Sequence, residues 1–226
     1  MTVATNLCLF DLDGTLLPID SDHAFGEFLV SIGWADAEVF RERNDGFFRD
    51  YEAGTLDVDA YVDFATSAWR HRAPGEIAAV QQRYLAEVVH AQVRPEAQAL
   101  VRSHQARGDL VAIVTATNEF VTAPIAQAFG VDNLLAVRLE RDGEGRCTGR
   151  ITGTPTFKEG KVSRVHDWLA GLGRRLGDFE RISVYSDSTN DLPLLALGND
   201  VVATNPSPAL AAIAAERGWR ILHLFQ

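Results

Sequence analysis

The sequence predicts an α/β protein, a doubly wound parallel sheet that carries an all-helical insertion directly after its first strand. Three observations lead there. Short apolar runs stop abruptly at polar clusters, as strands buried on both faces do. Later runs are each followed by Asp, Thr, Asn or Ser and then by helical periodicity, the alternation that builds right-handed crossovers. Between the first run and Arg94 no comparable strand occurs.

The first strand is Asn6–Phe10 (NLCLF), which ends at Asp11. From about Ser21 to Val89 the chain reads as amphipathic helices broken near Gly33, Gly54 and Arg72–Gly75. Phe25, Phe28, Leu29 and Ile32 fall at helical spacing, as do Tyr61, Phe64, Ala65 and Ala68. Pro95 suits the first turn of a helix ending near Gly108. Leu110–Val114 is the second strand, and Thr117 or Asn118 caps a helix running to about Phe129. A weaker strand spans Leu134–Leu139, followed by a hairpin through Asp142–Gly145 that returns near Arg150–Ile151. Ile182–Tyr185 and Val201–Ala203 are the last strands, with a helix from Ser188 or Thr189 to about Leu197 between them. The chain divides on this reading into a core (1–16 and 91–226) and a helical cap (17–90).

Composition narrows the function classes. A length of 226 residues, 46% hydrophobic and 23% charged, allows a sizeable buried interior. No apolar run reaches the ~20 residues that span a bilayer. The stretch Met1–Phe10 lacks the basic start and long apolar segment of a leader, so the cytoplasm is the expected location. Cys8 and Cys147 are too few for a disulfide framework, and Cys8, inside an apolar run, is expected to pack as a small hydrophobe. A formal net charge of −10 argues against a nucleic-acid partner. The acids are dispersed along the chain, as on an ordinary soluble surface.

The chemistry concentrates in Asp11-Leu12-Asp13-Gly14-Thr15-Leu16, immediately after the first strand. Open parallel sheets bind ligands beyond the carboxyl ends of their strands. A carboxylate there can attack phosphorus, as in ATPases that form an aspartyl-phosphate. A second acid two positions on can protonate the departing alkoxide and later deprotonate water. Gly14 suits the tight turn between strand and loop.

Phe10-Asp-Leu-Asp-Gly-Thr-Leu resembles motif one of the haloacid dehalogenase superfamily, whose core is Rossmann-like. Further matches follow in order. Thr115, after Leu110–Val114, corresponds to motif two, which holds phosphoryl oxygens. Lys161 in Glu159-Gly160-Lys161 corresponds to the motif-three lysine, with Lys158 as its rival. Ser186-Asp187-Ser188-Thr189-Asn190-Asp191 resembles motif four. The resemblance implies catalysis by Asp11 as nucleophile, Asp13 as acid and base, and Thr115 and Lys161 as phosphoryl clamps. It also implies Mg²⁺ held by Asp11, the Asp13 carbonyl, Asp187 and, directly or through water, Asp191. An acid at Asp13 favours phosphatase or phosphomutase chemistry over dehalogenation.

A helical insertion between motifs one and two, with Thr115-Ala-Thr-Asn and Ser186–Leu195, resembles subfamily IB, which includes phosphoserine and histidinol-phosphate phosphatases. Thr115, Ala116 and Lys161 then contact the phosphoryl group. Where the phosphoserine enzymes carry a cap glutamate this chain has Asp20, and Asp63 aligns with their carboxylate-binding arginine. An acid cannot make that bidentate contact. The expectation is a small phosphorylated metabolite bearing an amino group, histidinol phosphate being the leading example, met by Asp20, Asp22 and Asp63. Phosphoserine phosphatase remains the alternative if Arg70 or Arg72 substitutes, and another phosphomonoesterase, a phosphomutase or a non-catalytic phospho-ligand module are the others. Asp22 read blandly is the helix cap before His23. His23 and Trp69, as helix residues, are expected to pack, with a place lining the cap pocket as the alternative, and the oligomeric state is left open.

Overall fold

Side-chain alternation decides which way each face of the sheet looks. In β1 (Asn6–Phe10), Leu7 and Leu9 join one apolar cluster and Cys8 and Phe10 the other, all without solvent contact. Burying each leucine stabilises the fold by about 1.5–3 kcal/mol relative to exposure. The computed structural model describes residues 5–225. The Met1–Ala4 part of the stretch read as lacking a leader lies outside the described residues.

β1 pairs in parallel with β2 (Leu110–Asn118) on one side and β6 (Arg181–Ser186) on the other. Beyond them stand β3 (Asn133–Val137), β7 (Asp200–Thr204) and β8 (Arg220–Leu222), giving the parallel order β3-β2-β1-β6-β7-β8. The two strands at the centre, β1 and β6, deliver Asp11 and Asp187 side by side. Crossover helices are α5 (Pro95–Ala106), α6 (Glu119–Ala128), α7 (Glu159–Gly171), the short α8 (Leu192–Leu195) and α9 (Pro208–Arg217).

Four helices fill the insertion after β1, namely α1 (Ser21–Ser31), α2 (Ala37–Ala53), α3 (Val58–Ser67) and α4 (Pro74–Tyr84), the last continued by a π-helical turn, Leu85–Val89. Their breaks follow the expected glycines: Gly54 closes α2 in the left-handed conformation at φ 72°. Phe40, Phe64 and Val30 form a cluster of their own, whereas Phe25, Phe28 and Tyr84 pack into the sheet-side core. The insertion is therefore anchored through α1 and α4. Trp69 stacks on Phe120 at 4.4 Å, a packing role as expected.

The elements depart from expectation in four places. β2 runs on to Asn118, so Thr115 lies inside the strand, where the register against β3 breaks between Val114 and Asn118. The expected strand Leu134–Leu139 divides at Arg138 into β3 and β4 (Leu139–Arg141), which leaves the main sheet to pair antiparallel with β5 (Cys147–Ile151). After Ser188 the chain makes a 3₁₀ turn, Thr189–Asp191, before α8, because the Ser188 hydroxyl caps Asn190 and Pro193 restarts the helix. The edge strand β8, three residues long and largely exposed, is too short to stand out in sequence. Among the described residues no helix is long and apolar enough to cross a membrane.

Candidate active site

The strand ends and the first turns of two helices bring the predicted residues to one place. Asp11 is 2% exposed, and its amide donates to the Tyr185 carbonyl at 2.9 Å, locking the end of β1 to β6. Its Oδ1 accepts from Lys161 Nζ at 2.8 Å and its Oδ2 accepts from the Thr15 hydroxyl at 3.4 Å. Lys161, 1% exposed in the first turn of α7, also bonds Asp191 at 2.7 Å. Burial opposes the lysine's charge, but Asp11 and Asp191 outweigh it and hold its pKa above the usual lysine range.

Of the rival lysines, Lys161 occupies the site. Lys158 instead reaches across to the Gly54 carbonyl at 2.6 Å, a cation at the carboxyl end of α2. Asn190 donates to the neighbouring Tyr51 carbonyl at 2.7 Å, so two core side chains hold the end of α2 over the site.

Asp13 turns away from Asp11's lysine. It accepts from the Ser21 amide at 2.9 Å and from the Thr117 hydroxyl at 2.8 Å. Burial, then the nearby charges of Asp20 and Asp11, push its carboxyl well above the ordinary range. Thr117 was not singled out for this contact. The signal was available, since Thr-x-Thr at a strand end sends both hydroxyls toward one loop. Thr115 itself is 1% exposed and, with Ala116, lines the same cavity.

Asp187 approaches Asp11 from β6 closely enough to share a proton, and burial, Asp11 and Asp191 raise its pKa well above the usual carboxylate value. Thr15 Oγ1 donates to Asp187 Oδ1 at 3.0 Å, a second role that Thr15 was not expected to have. Gly14, at φ +74°, lies against the Asp187 carboxylate so closely that a Cβ there would strike it. Asn205 beyond β7 holds the Gly14 carbonyl at 2.9 Å and completes the loop. Asp191 is committed to Lys161 and, at 2.8 Å, to the Ser186 hydroxyl, so it buttresses the lysine.

The donor set fits a hard divalent cation. Six aspartates (11, 13, 20, 22, 187 and 191) surround the site, and Lys161 is the cation bonded among them. Facing carboxylates of Asp11 and Asp187 repel unless a cation lies between them. Among the described residues no three acidic, His or Cys side chains form a complete cage. Such an ion would complete its shell with a main-chain carbonyl, phosphate oxygens and water, the habit of Mg²⁺.

Next to Asp11 lies a narrow cavity, partly open to solvent. Asp13, Asp20 and Asp22 form its acidic side, and Phe47, Phe48, Tyr51 and Tyr61 of α2 and α3 its aromatic wall. Neither Arg nor Lys is among its described lining residues. The helix cap is Asp20, whose Oδ1 takes the Asp22 and His23 amides at 3.0 and 2.7 Å. Asp22 is free of that task. Asp63 does not join the rim. It is pinned by Arg70 at 2.6 Å, beside Gly149 of the β4–β5 hairpin, while Arg72 stacks on Trp34 at 4.0 Å. His23 does line the cavity, contrary to a packing role alone, with Nε2 2.8 Å from Asp45.

Residues 8–196 match the haloacid dehalogenase-like hydrolase family. The chain is 40% identical over 218 residues to a histidinol-phosphatase of Neisseria meningitidis, covering 96% of this chain and 98% of that one. It is 30% identical to the phosphoserine phosphatase SerB1 of Mycobacterium tuberculosis, covering 96% of this chain and 70% of that one. A Bordetella pertussis protein of unknown function superposes with a TM-score of 0.92 at 47% identity, over 99% of this chain and 100% of that one. A phosphoserine phosphatase with a phospho-aspartyl intermediate analogue shares the fold, with a TM-score of 0.67 at 18% identity, over 99% of this chain and 95% of that one.

Proposed function

Since the chain belongs to the haloacid dehalogenase-like hydrolase family and is a phosphatase, we propose that it hydrolyses a small amino-bearing phosphate monoester, histidinol phosphate foremost, through an aspartyl-phosphate on Asp11. The observation that carries the substrate reading is the cavity's charge: acids and aromatic rings line it, with neither Arg nor Lys among the described residues. A phosphoserine carboxylate would find no partner there and would face Asp20 and Asp22. The Neisseria relative named a histidinol-phosphatase supports the same choice.

Asp11 is the nucleophile and Thr115, Ala116 and Lys161 receive the phosphoryl oxygens. Asp11 and Asp187, with the Asp13 carbonyl, would hold Mg²⁺, which when bound would supply the charge neutralisation that lets an anionic nucleophile meet an anionic ester. Asp13 gives its proton to the departing alkoxide, then takes one from the water that attacks the aspartyl-phosphate. The first half-reaction leaves Asp13 ionised, and the second returns its proton. Helices α1–α4 act as a cap that keeps bulk water from the cavity.

The test is a comparison of kcat/KM for histidinol phosphate and phosphoserine with purified protein and Mg²⁺, repeated with EDTA. The expected result is metal-dependent turnover that favours histidinol phosphate; a preference for phosphoserine overturns the substrate reading.

A further inference from the structure

Two acids two residues apart, Asp20 and Asp22, do different work. Asp20 spends Oδ1 on the amides that open α1. Asp22 is 6% exposed, lines the cavity, and presents both oxygens to the Asn118 amide nitrogen at 3.1 and 3.2 Å. The Asn118 carbonyl oxygen is already taken by the Phe120 and Val121 amides that it caps, so its NH₂ end cannot turn from Asp22. The Tyr61 hydroxyl lies within hydrogen-bonding reach of the same carboxylate. A carboxylate oriented this firmly is built for a partner. None of the described lining residues supplies a lysine or arginine, and His23 is engaged by Asp45. An uncompensated buried carboxylate is costly, and a ligand cation removes that cost.

Resting on the phosphatase reading above, we propose that Asp22 is the specificity-determining residue: its carboxylate receives the primary ammonium of a 2-aminoalkyl phosphate monoester whose phosphoryl group sits at Asp11. The shared cavity supports it. Asp13 and Asp22 line the same cavity as Asp11 and Thr115. With the phosphoryl group at Asp11 and the ester oxygen at Asp13, the amino group of such a substrate has the Asp22 carboxylate on the cavity wall to meet. The rest of the substrate meets Phe47, Phe48 and Tyr51, whose low-polarity wall strengthens the ion pair.

The test compares kcat/KM for histidinol phosphate and its des-amino analogue, with Mg²⁺, in the native protein, Asp22→Asn and Asp22→Glu. The native enzyme prefers the amino substrate by about 10- to 100-fold, the range of a charge-assisted hydrogen bond. Asp22→Asn collapses that ratio toward unity and Asp22→Glu restores part of it. No preference in the native enzyme removes the amino-substrate reading itself. A native preference that survives in Asp22→Asn overturns only the assignment to Asp22. Should neither variant fold, competitive inhibition of the native enzyme by histidinol and by its des-amino alcohol reads the same contact, and equal inhibition overturns it.

Discussion

The Lys161 ammonium lies 2.8 Å from the Asp11 carboxylate, across 150 residues of sequence, and its other carboxylate partner is Asp191. A lysine from α7 thus ties the end of β1 to the turn after β6. Removing one partner of a buried ion pair leaves the others uncompensated.

Lys161→Met is expected to lower unfolding stability by about 3–5 kcal/mol and to abolish detectable turnover. Urea unfolding and a steady-state assay read the two effects. Lys158→Met, which loses the contacts to the Gly54 carbonyl and the Phe157 ring, is expected to retain measurable turnover; equal loss in both variants would assign the two lysines a common role and contradict the separation seen here.

Asp13→Asn keeps a group that can meet Thr117 and Ser21 but cannot exchange a proton. Turnover of an alkyl ester is expected to fall about 10²- to 10⁴-fold. With p-nitrophenyl phosphate, whose leaving group needs no proton, the first step suffers less than the second, so a burst of nitrophenol should precede a slow steady state. A uniform loss without a burst would place Asp13 outside proton transfer.

Gly14→Ala forces an L-residue into the left-handed region at φ +74° and drives a methyl group into Asp187. The backbone strain alone amounts to about 1–2 kcal/mol. The Mg²⁺ concentration for half-maximal rate is expected to rise at least about tenfold, the equivalent of ~1.4 kcal/mol. An unchanged metal requirement would separate this loop from the cation site.

Asp22 carries a signature in stability as well as in specificity. Burial, then the charge of Asp20, raise its carboxyl from 3.8 to about 7. A folded-state value above the unfolded one means that ionisation opposes the fold. The contribution is fully favourable below about pH 4 and is lost as pH rises through about 7. The full difference is of order 4 kcal/mol. Asp22→Asn should therefore raise Tm by several degrees at pH 8 and change it little at pH 4. Equal shifts at both values would contradict this account.

Much of the site was legible because strand ends are legible. An apolar run that stops at Asp11, another that stops at Thr115, and a third that stops before Asp187 announce three parallel strands whose ends share one rim. Lys161 is preferred over its rival in sequence only by its place at the start of a helix; in the fold Lys158 lies just before α7, at φ 49°, and is turned away to the Gly54 carbonyl. Asp63 was misplaced for a related reason: alignment sets its position along α3, while Arg70 one further helical stretch on decides which way its carboxylate is held. The division of 134–139 into two strands was hidden because one Arg138 within a run of apolar residues does not reveal that the chain changes its pairing partner there.

By itself, the amino-acid order determined the parallel sheet, the helical insertion and the candidate for nucleophile, since local periodicity and residue chemistry suffice for these. Only the folded chain decided the division of labour among the acids: Asp20 to cap a helix, Asp191 to hold a lysine, Asp187 to face Asp11, and Asp22 to wait at the cavity wall. The physical reason is that a carboxylate's task is set by which donors reach it and how much water remains around it. Those neighbours, from Asn118 to Lys161, arrive from segments that no local pattern connects.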